Sequence, residues 1–237
     1  MSWQRAHRVA GFERFFGIYL HWLIRRSFAR ILVRAEASFP GGGYVAAANH
    51  HSWWDGFLAL TIHRAFAPER PFNVMMDDEQ LRRFPYFRLG GAFSVDARSV
   101  RAAYSAIAYA ASCARTGAGL WIFPDGQLHP PLCAPSFSSG FVHAARMAEA
   151  PVLPVAMRYL FLGEQRPVAI AALGAPIDPH PRTARAAVQE RVTELLASLD
   201  EDLRRGRLDG RYREILRGRA GIDEIVARRS AAPRRAR

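Results

Sequence analysis

Lysine is absent from all 237 residues, so the entire basic complement is arginine. Basic residues number 33 against 21 acidic ones, a formal net charge of +12 whose positive field favours an anionic partner. Cysteine is scarce: Cys113 and Cys133 are the only two, and neither belongs to a C-x-x-C pair. That excludes a disulfide-dense scaffold and a cysteine-rich zinc site, and it fits a reducing compartment. No apolar run reaches the roughly 20 residues that a membrane-spanning helix needs. The densest cluster, residues 12–34, is broken by Arg14, His21, Arg25, Arg26 and Arg30, and no small-residue cleavage site follows it, so it does not read as a signal peptide either. Arginine and aromatic residues interleave over residues 81–89, but no RNA-binding signature accompanies them, and nucleic acid is not an expected partner. A hydrophobic share of 50% excludes a disordered chain, and the length suits one domain with a sizeable core.

What the chain does contain is organised around residues 44–58. An apolar run, Tyr44-Val45-Ala46-Ala47-Ala48, rises into Asn49-His50-His51-Ser52 and then an amphipathic segment carrying Asp55. The pattern predicts a buried strand, a turn and a helix start, with Ser52 as N-cap and Asp55 in the first turn. A carboxylate accepting one imidazole N–H fixes the tautomer and leaves the other nitrogen free to take a proton. Five residues along a continuous helix would turn His50 and Asp55 about 140° apart, so that pair meets only if His50 lies ahead of the helix. His51 and Asp55, spaced i,i+4, form the competing pair on an ordinary helix face.

Beyond this stretch, short apolar runs alternate with helical patterns. Strands are expected near residues 72–76, 90–95, 119–123, 152–161 and 168–173, and helices over residues 53–66, 99–115, 138–149 and 183–204. The alternation predicts a three-layer α/β fold, a mainly parallel sheet flanked by helices, with its ligand crevice at the strands' C-terminal ends. His50, Arg98 and Asp125 all fall at such ends.

The Asn49-His50-x4-Asp55 stretch resembles the first motif of the lysophospholipid (1-acylglycerol-3-phosphate) acyltransferases, and three further stretches match in order. Gly91-Ala92-Phe93-Ser94-Val95-Asp96-Ala97-Arg98 is similar to the second motif, Phe123-Pro124-Asp125-Gly126 to the third, and Pro151-Val152-Leu153-Pro154-Val155 to the fourth. The resemblance implies an O-acyltransferase that moves a fatty acyl group from acyl-CoA or acyl carrier protein to the hydroxyl of a lysophospholipid or related lipid alcohol. His50 and Asp55 would be catalytic, and Phe93, Arg98, Asp125 and Gly126 would line the acceptor site, with Arg98 gripping phosphate. No cofactor or metal is implied; the thioester enters as a substrate. The third motif departs from the family's Phe-Pro-Glu-Gly-Thr-Arg, because Asp125, Gln127 and Leu128 stand for Glu, Thr and Arg. Losing that arginine points to an acceptor with a neutral or zwitterionic headgroup.

Three segments are expected. Residues 1–36 form an amphipathic helical segment lying in the membrane interface or packed on the core by its aromatic face, residues 37–205 form the acyltransferase domain, and residues 206–237 form an Arg-rich, partly disordered segment. The implied location is cytoplasmic, peripheral on the inner face of the cell membrane, with membrane lipid and a thioester donor as partners. Two other classes stay open on residues alone: a metal-dependent hydrolase using His50, His51 and Asp55, and a catalytically degenerate membrane-binding or nucleic-acid-binding module.

Overall fold

The computed structural model of the chain describes residues 3–222. In chain order it runs α1 Ala10–Ser27, β1 Arg30–Ala35, β2 Tyr44–Ala48, α2 Asp55–Phe66, β3 Phe72–Asp77, α3 Asp78–Arg83, a 3-10 turn Pro85–Gly90, β4 Ala92–Val95, α4 Val100–Arg115, β5 Gly119–Ile122, α5 Gly140–Ala148, β6 Val152–Leu160, β7 Val168–Leu173, α6 Ala184–Arg204 and β8 Arg213–Arg217. The strands form one sheet in the order β4-β3-β5-β2-β6-β7-β1-β8. β6 with β7 and β1 with β8 pair antiparallel, and the other five pairings are parallel. Mixed α/β architecture with a mainly parallel sheet is therefore what the chain adopts.

Both faces of the sheet are covered. Leu20 and Ile24 of α1 and Leu58 and Ile62 of α2 pack on one side, against Tyr44, Trp121 and Met157; α4, α5 and α6 cover the other. Strands buried on both faces read as continuous apolar runs, and all five residues of β2 and all six of β7 are buried. α4 starts at Ser99, whose hydroxyl accepts from the Ala102 N–H at 3.3 Å, and it buries Ala102, Ala106 and Ala110 at four-residue spacing. Small side chains let this helix lie close to the sheet.

The outermost segments differ from expectation. The N-terminal helix ends at Ser27, and residues 30–35 form β1, an inner strand between β7 and β8. The stretch after residue 206, expected to be a separate Arg-rich segment, supplies β8, so neither expected boundary coincides with a break in the sheet. At this end of the sheet α6, β1 and the residues just before β8 share one carboxylate. Buried Asp202 on α6 accepts from Arg34 of β1 at 3.0 Å, from the Tyr212 hydroxyl at 2.8 Å and from Arg211 at 2.5 Å, drawing three basic or polar side chains onto one carboxylate. The disorder expected for residues 228–237 lies outside the described residues.

α1 has one face packed on the core and another exposed to solvent. Leu20 and Ile24 are buried, each contributing about 1.5–3 kcal/mol. On the opposite side Phe15, Ile18, Tyr19 and Trp22 recur at i, i+3, i+4, i+7 and stand 67%, 67%, 45% and 43% exposed. Among the described residues no helix is long and apolar enough to cross a membrane.

Candidate active site

β2 is the hub of the sheet, parallel to β5 on one side and β6 on the other. Its exit at Asn49 therefore lies between the end of β5 and the continuing strand β6, which runs on to Leu160. Asn49 staples that exit to β6: its side-chain oxygen accepts from the Met157 N–H at 2.8 Å, and its amide donates to the Met157 carbonyl at 3.2 Å. Residues 50–52 then leave the strand without entering the helix, which begins at Asp55.

This break lets His50 and Asp55 meet, with His50 Nδ1 2.8 Å from Asp55 Oδ2. Asp55 is fully buried, yet it is surrounded by donors. Oδ2 also accepts the backbone N–H groups of His51 at 2.8 Å and Ser52 at 2.9 Å, and Oδ1 accepts the Tyr159 hydroxyl at 2.8 Å. The buried carboxylate thus has its hydrogen-bonding capacity met by four donors, with no arginine or lysine among them. Because Asp55 accepts at Nδ1, that nitrogen carries the proton and Nε2 presents its lone pair. Among the described residues Nε2 makes no hydrogen bond, and the imidazole is 25% exposed. Phe123, just past β5, stacks on the ring with centroids 4.5 Å apart and planes at 25°, fixing its tilt.

The cap forms in the reverse sense from the one expected. Trp54 occupies the N-cap position without a side-chain bond, and Ser52 Oγ accepts only from the Trp54 N–H at 3.2 Å. The Asp55 carboxylate instead reaches back over the turn to collect N–H groups of residues 51 and 52. The i,i+4 pairing of His51 with Asp55 does not form between side chains. His51 Nδ1 takes a hydrogen bond from the Asn49 amide at 2.8 Å, which leaves Nε2 protonated, buried and without a partner among the described residues. Burial pushes the His51 pKa below its ordinary value, against an opposing pull from Asp55. Burial, followed by the adjacent Asp55 charge, drives the Tyr159 hydroxyl well above its own, so it remains a donor.

The other expected site residues separate. Asp125 is close to the dyad, but its carboxylate is spent on backbone: Oδ2 accepts from the His50 N–H at 3.2 Å and Oδ1 from the Ser136 N–H at 2.7 Å. It ties the proline-rich loop of residues 124–139 to the strand exit, as does the bond from the His129 N–H to the His50 carbonyl at 3.0 Å. Gly126 turns that loop with φ +73°, a conformation that disfavours a side chain. Leu128, in the family's arginine position, points outward and is 54% exposed. Phe93 is fully buried in the core against Tyr109, centroids 5.2 Å apart, and does not line an acceptor site. Arg98 follows β4, three strand spacings or about 14 Å from β2. Its side chain is 76% exposed and lies 3.3 Å from Asp96, so it must leave that partner and turn inward to share a ligand with His50.

Sequence reasoning missed Tyr159, Asn49's stapling role and Phe123. Tyr159 lies 104 residues from Asp55, four residues beyond the stretch that resembles the fourth motif, and the β2–β6 pairing brings it there. Among the described residues no group of three His, Cys, Asp or Glu side chains is arranged to hold a metal ion.

A parallel-sheet α/β domain with a histidine–carboxylate pair at the exit of its central strand is the setting of an acyl-transfer enzyme, and the chain belongs to the acyltransferase family, whose model matches residues 30–158. In fold it is similar to the 1-acyl-sn-glycerophosphate (LPA) acyltransferase PlsC from Thermotoga maritima, with a TM-score of 0.56 and 22% identity, covering 80% of this chain and 78% of that one. Among curated proteins none matches the chain.

Proposed function

We propose that this acyltransferase moves a fatty acyl group from acyl-CoA or acyl carrier protein to the hydroxyl of a lysophospholipid or related lipid alcohol. His50 Nε2 takes the hydroxyl proton as the oxygen attacks the thioester carbonyl. The tetrahedral intermediate then collapses, the carbon–sulfur bond breaks, and the thiolate recovers the proton from the imidazolium. Asp55 orients the ring and stabilises its charged form, so the pair acts as a triad without an enzyme nucleophile. Holding both substrates together supplies much of the remaining acceleration. The observation that carries this reading is the division of labour on one imidazole: Nδ1 bound to a buried, fully supplied carboxylate, Nε2 open.

The exposed stripe of α1 supports a peripheral seat on the membrane, proposed here on its cytoplasmic face. Trp53, 63% exposed, continues that apolar surface toward His50 through Phe57, which it meets at 4.8 Å and which in turn contacts Phe16 at 6.3 Å. A lipid acceptor could then reach the dyad without leaving the interface.

The deciding experiment is thioester consumption by His50→Ala and His51→Ala proteins of verified fold. Removing the general base should slow turnover about 10²–10⁴-fold. His51→Ala should mainly lower stability. A mild effect at His50 with a severe one at His51 reverses the assignment.

A further inference from the structure

A cleft of about 510 Å³ lies between α1, α2 and the edge strand β8, on the helical face of the sheet and lined by none of the dyad residues. His21, Arg25, Arg64 and Arg217 line it over an apolar floor that includes Leu20 and Leu216, and no carboxylate lines it among the described residues. Arg217 is engaged by Glu214 at 2.8 and 3.0 Å. Arg64 is not neutralised in that way. Its guanidinium lies against Gly17, where any Cβ would collide with it, and its one hydrogen bond among the described residues goes to the Glu13 backbone carbonyl at 3.2 Å. The side chain remains exposed to solvent, and its pKa is drawn down by partial burial against an opposing pull from the Glu13 charge. Arg25, exposed on the cleft's rim, makes no side-chain ion pair among the described residues.

The surroundings select among anions. At 100° per residue, His21 and Arg25 occupy the flank of α1 next to its outward stripe, so apolar surface and basic cleft meet along one edge of the same helix. At the C-terminal end of the stripe the guanidinium groups of Arg26 and Arg219 lie 5.8 and 5.9 Å from the Trp22 ring centroid. A phospholipid presents the same order, acyl chain beside phosphate, whereas a free anion has no use for the stripe or the apolar floor.

We propose that this cleft binds the phosphate of an anionic phospholipid that is not the acyl acceptor, holding α1 in register on the bilayer. The proposal rests on α1 facing the membrane. Arg64 and Arg25 supply forked donors to the phosphate oxygens, and the stripe enters the adjoining acyl region.

Flotation with phosphatidylglycerol-containing and pure phosphatidylcholine vesicles tests it, using wild type, Arg25→Glu, Arg25→Ala/Arg64→Gln, and Arg182→Ala/Arg207→Ala as a control that removes equal charge from exposed positions elsewhere. The expected result is wild-type preference for the anionic vesicles, lowered about 30-fold in the double cleft variant by loss of two phosphate-contacting cations, and unchanged in the control. Arg25→Glu should lose the preference by itself, which guards against misfolding of the Arg64 variant. Acyl transfer to a water-dispersed acceptor should be the same in all four proteins. Equal losses in cleft and control variants would reduce the effect to net charge and overturn the site. Equal binding to both vesicle types overturns it while leaving α1 on the membrane, and binding to neither overturns both. Stabilisation by inorganic phosphate alone, without vesicle preference, would make the cleft a free-anion site and also refute the proposal.

Discussion

Tyr159→Phe tests the dyad's support more sharply than removal of the dyad itself. Among the described residues the hydroxyl is the only donor to Asp55 Oδ1, at 2.8 Å, and the carboxylate is fully buried. Deleting one oxygen leaves the ring's contacts with Phe28 at 5.7 Å and His51 at 5.3 Å in place, so the change is confined to the hydrogen bond. A bond to a buried carboxylate is worth about 1.5–3 kcal/mol, and the stranded Oδ1 has no other donor among the described residues. For a chain of this length each kcal/mol moves Tm by about 2–4 °C, so a loss near 2 kcal/mol predicts a drop of about 4–8 °C at neutral pH. Catalysis should suffer as well. With one donor fewer, Asp55 is held less firmly and orients the imidazole less well, so kcat/KM should fall. The fall should be less than tenfold, well short of the His50→Ala loss. Differential scanning calorimetry and kcat/KM from pH 5 to 9 measure the two effects. An unchanged Tm together with an unchanged profile would show that the hydroxyl does not support Asp55.

Three further outcomes are expected. His51 and His63 both have pKa values held below the ordinary histidine range, chiefly by burial. The unfolded chain therefore binds more protons, and the stabilisation is complete above about pH 6.5 and lost as pH falls below it toward the folded values. Urea midpoints at pH 7.5 and 5.5 should fall in that order, and a flat or opposite trend refutes the burial argument. In acceptor competition, lysophosphatidic acid should be used less well than a lipid alcohol with a neutral or zwitterionic headgroup, and Leu128→Arg should shift preference toward phosphate. Efficient use of lysophosphatidic acid by the wild type, lost in Arg98→Ala, would show that one arginine suffices. Finally, Phe15→Ser/Ile18→Ser/Trp22→Ser should reduce vesicle binding at least tenfold with unchanged Tm, because these side chains face outward. Deleting residues 1–34, by contrast, should destroy the fold by removing β1. A stable truncated protein would contradict the sheet order.

Local chemistry alone determined the hub strand, the turn after it and the helix that follows. An apolar run such as Tyr44-Val45-Ala46-Ala47-Ala48 has few other uses than a strand buried on both faces, and the spacing of His50 and Asp55 required a break between them. The alternation of strands and helices likewise announced a mainly parallel sheet. Tertiary structure alone decided what lies beside what. Phe93 occupies a motif position yet points into the core, because successive residues of β4 alternate faces and that motif does not say which face meets the site. Arg98 and His50 belong to motifs adjacent in order, but β3 and β5 stand between their strands. Residues 30–35 and 213–217 are Arg-rich, and their strands depend on partners distant in sequence: β1 pairs with β7 and β8, Arg30 meets Glu164 and Arg34 meets Asp202. Tyr159 was invisible for the same reason: its only marked partner is a carboxylate 104 residues away, and a partnership across that distance exists only once β2 and β6 have paired.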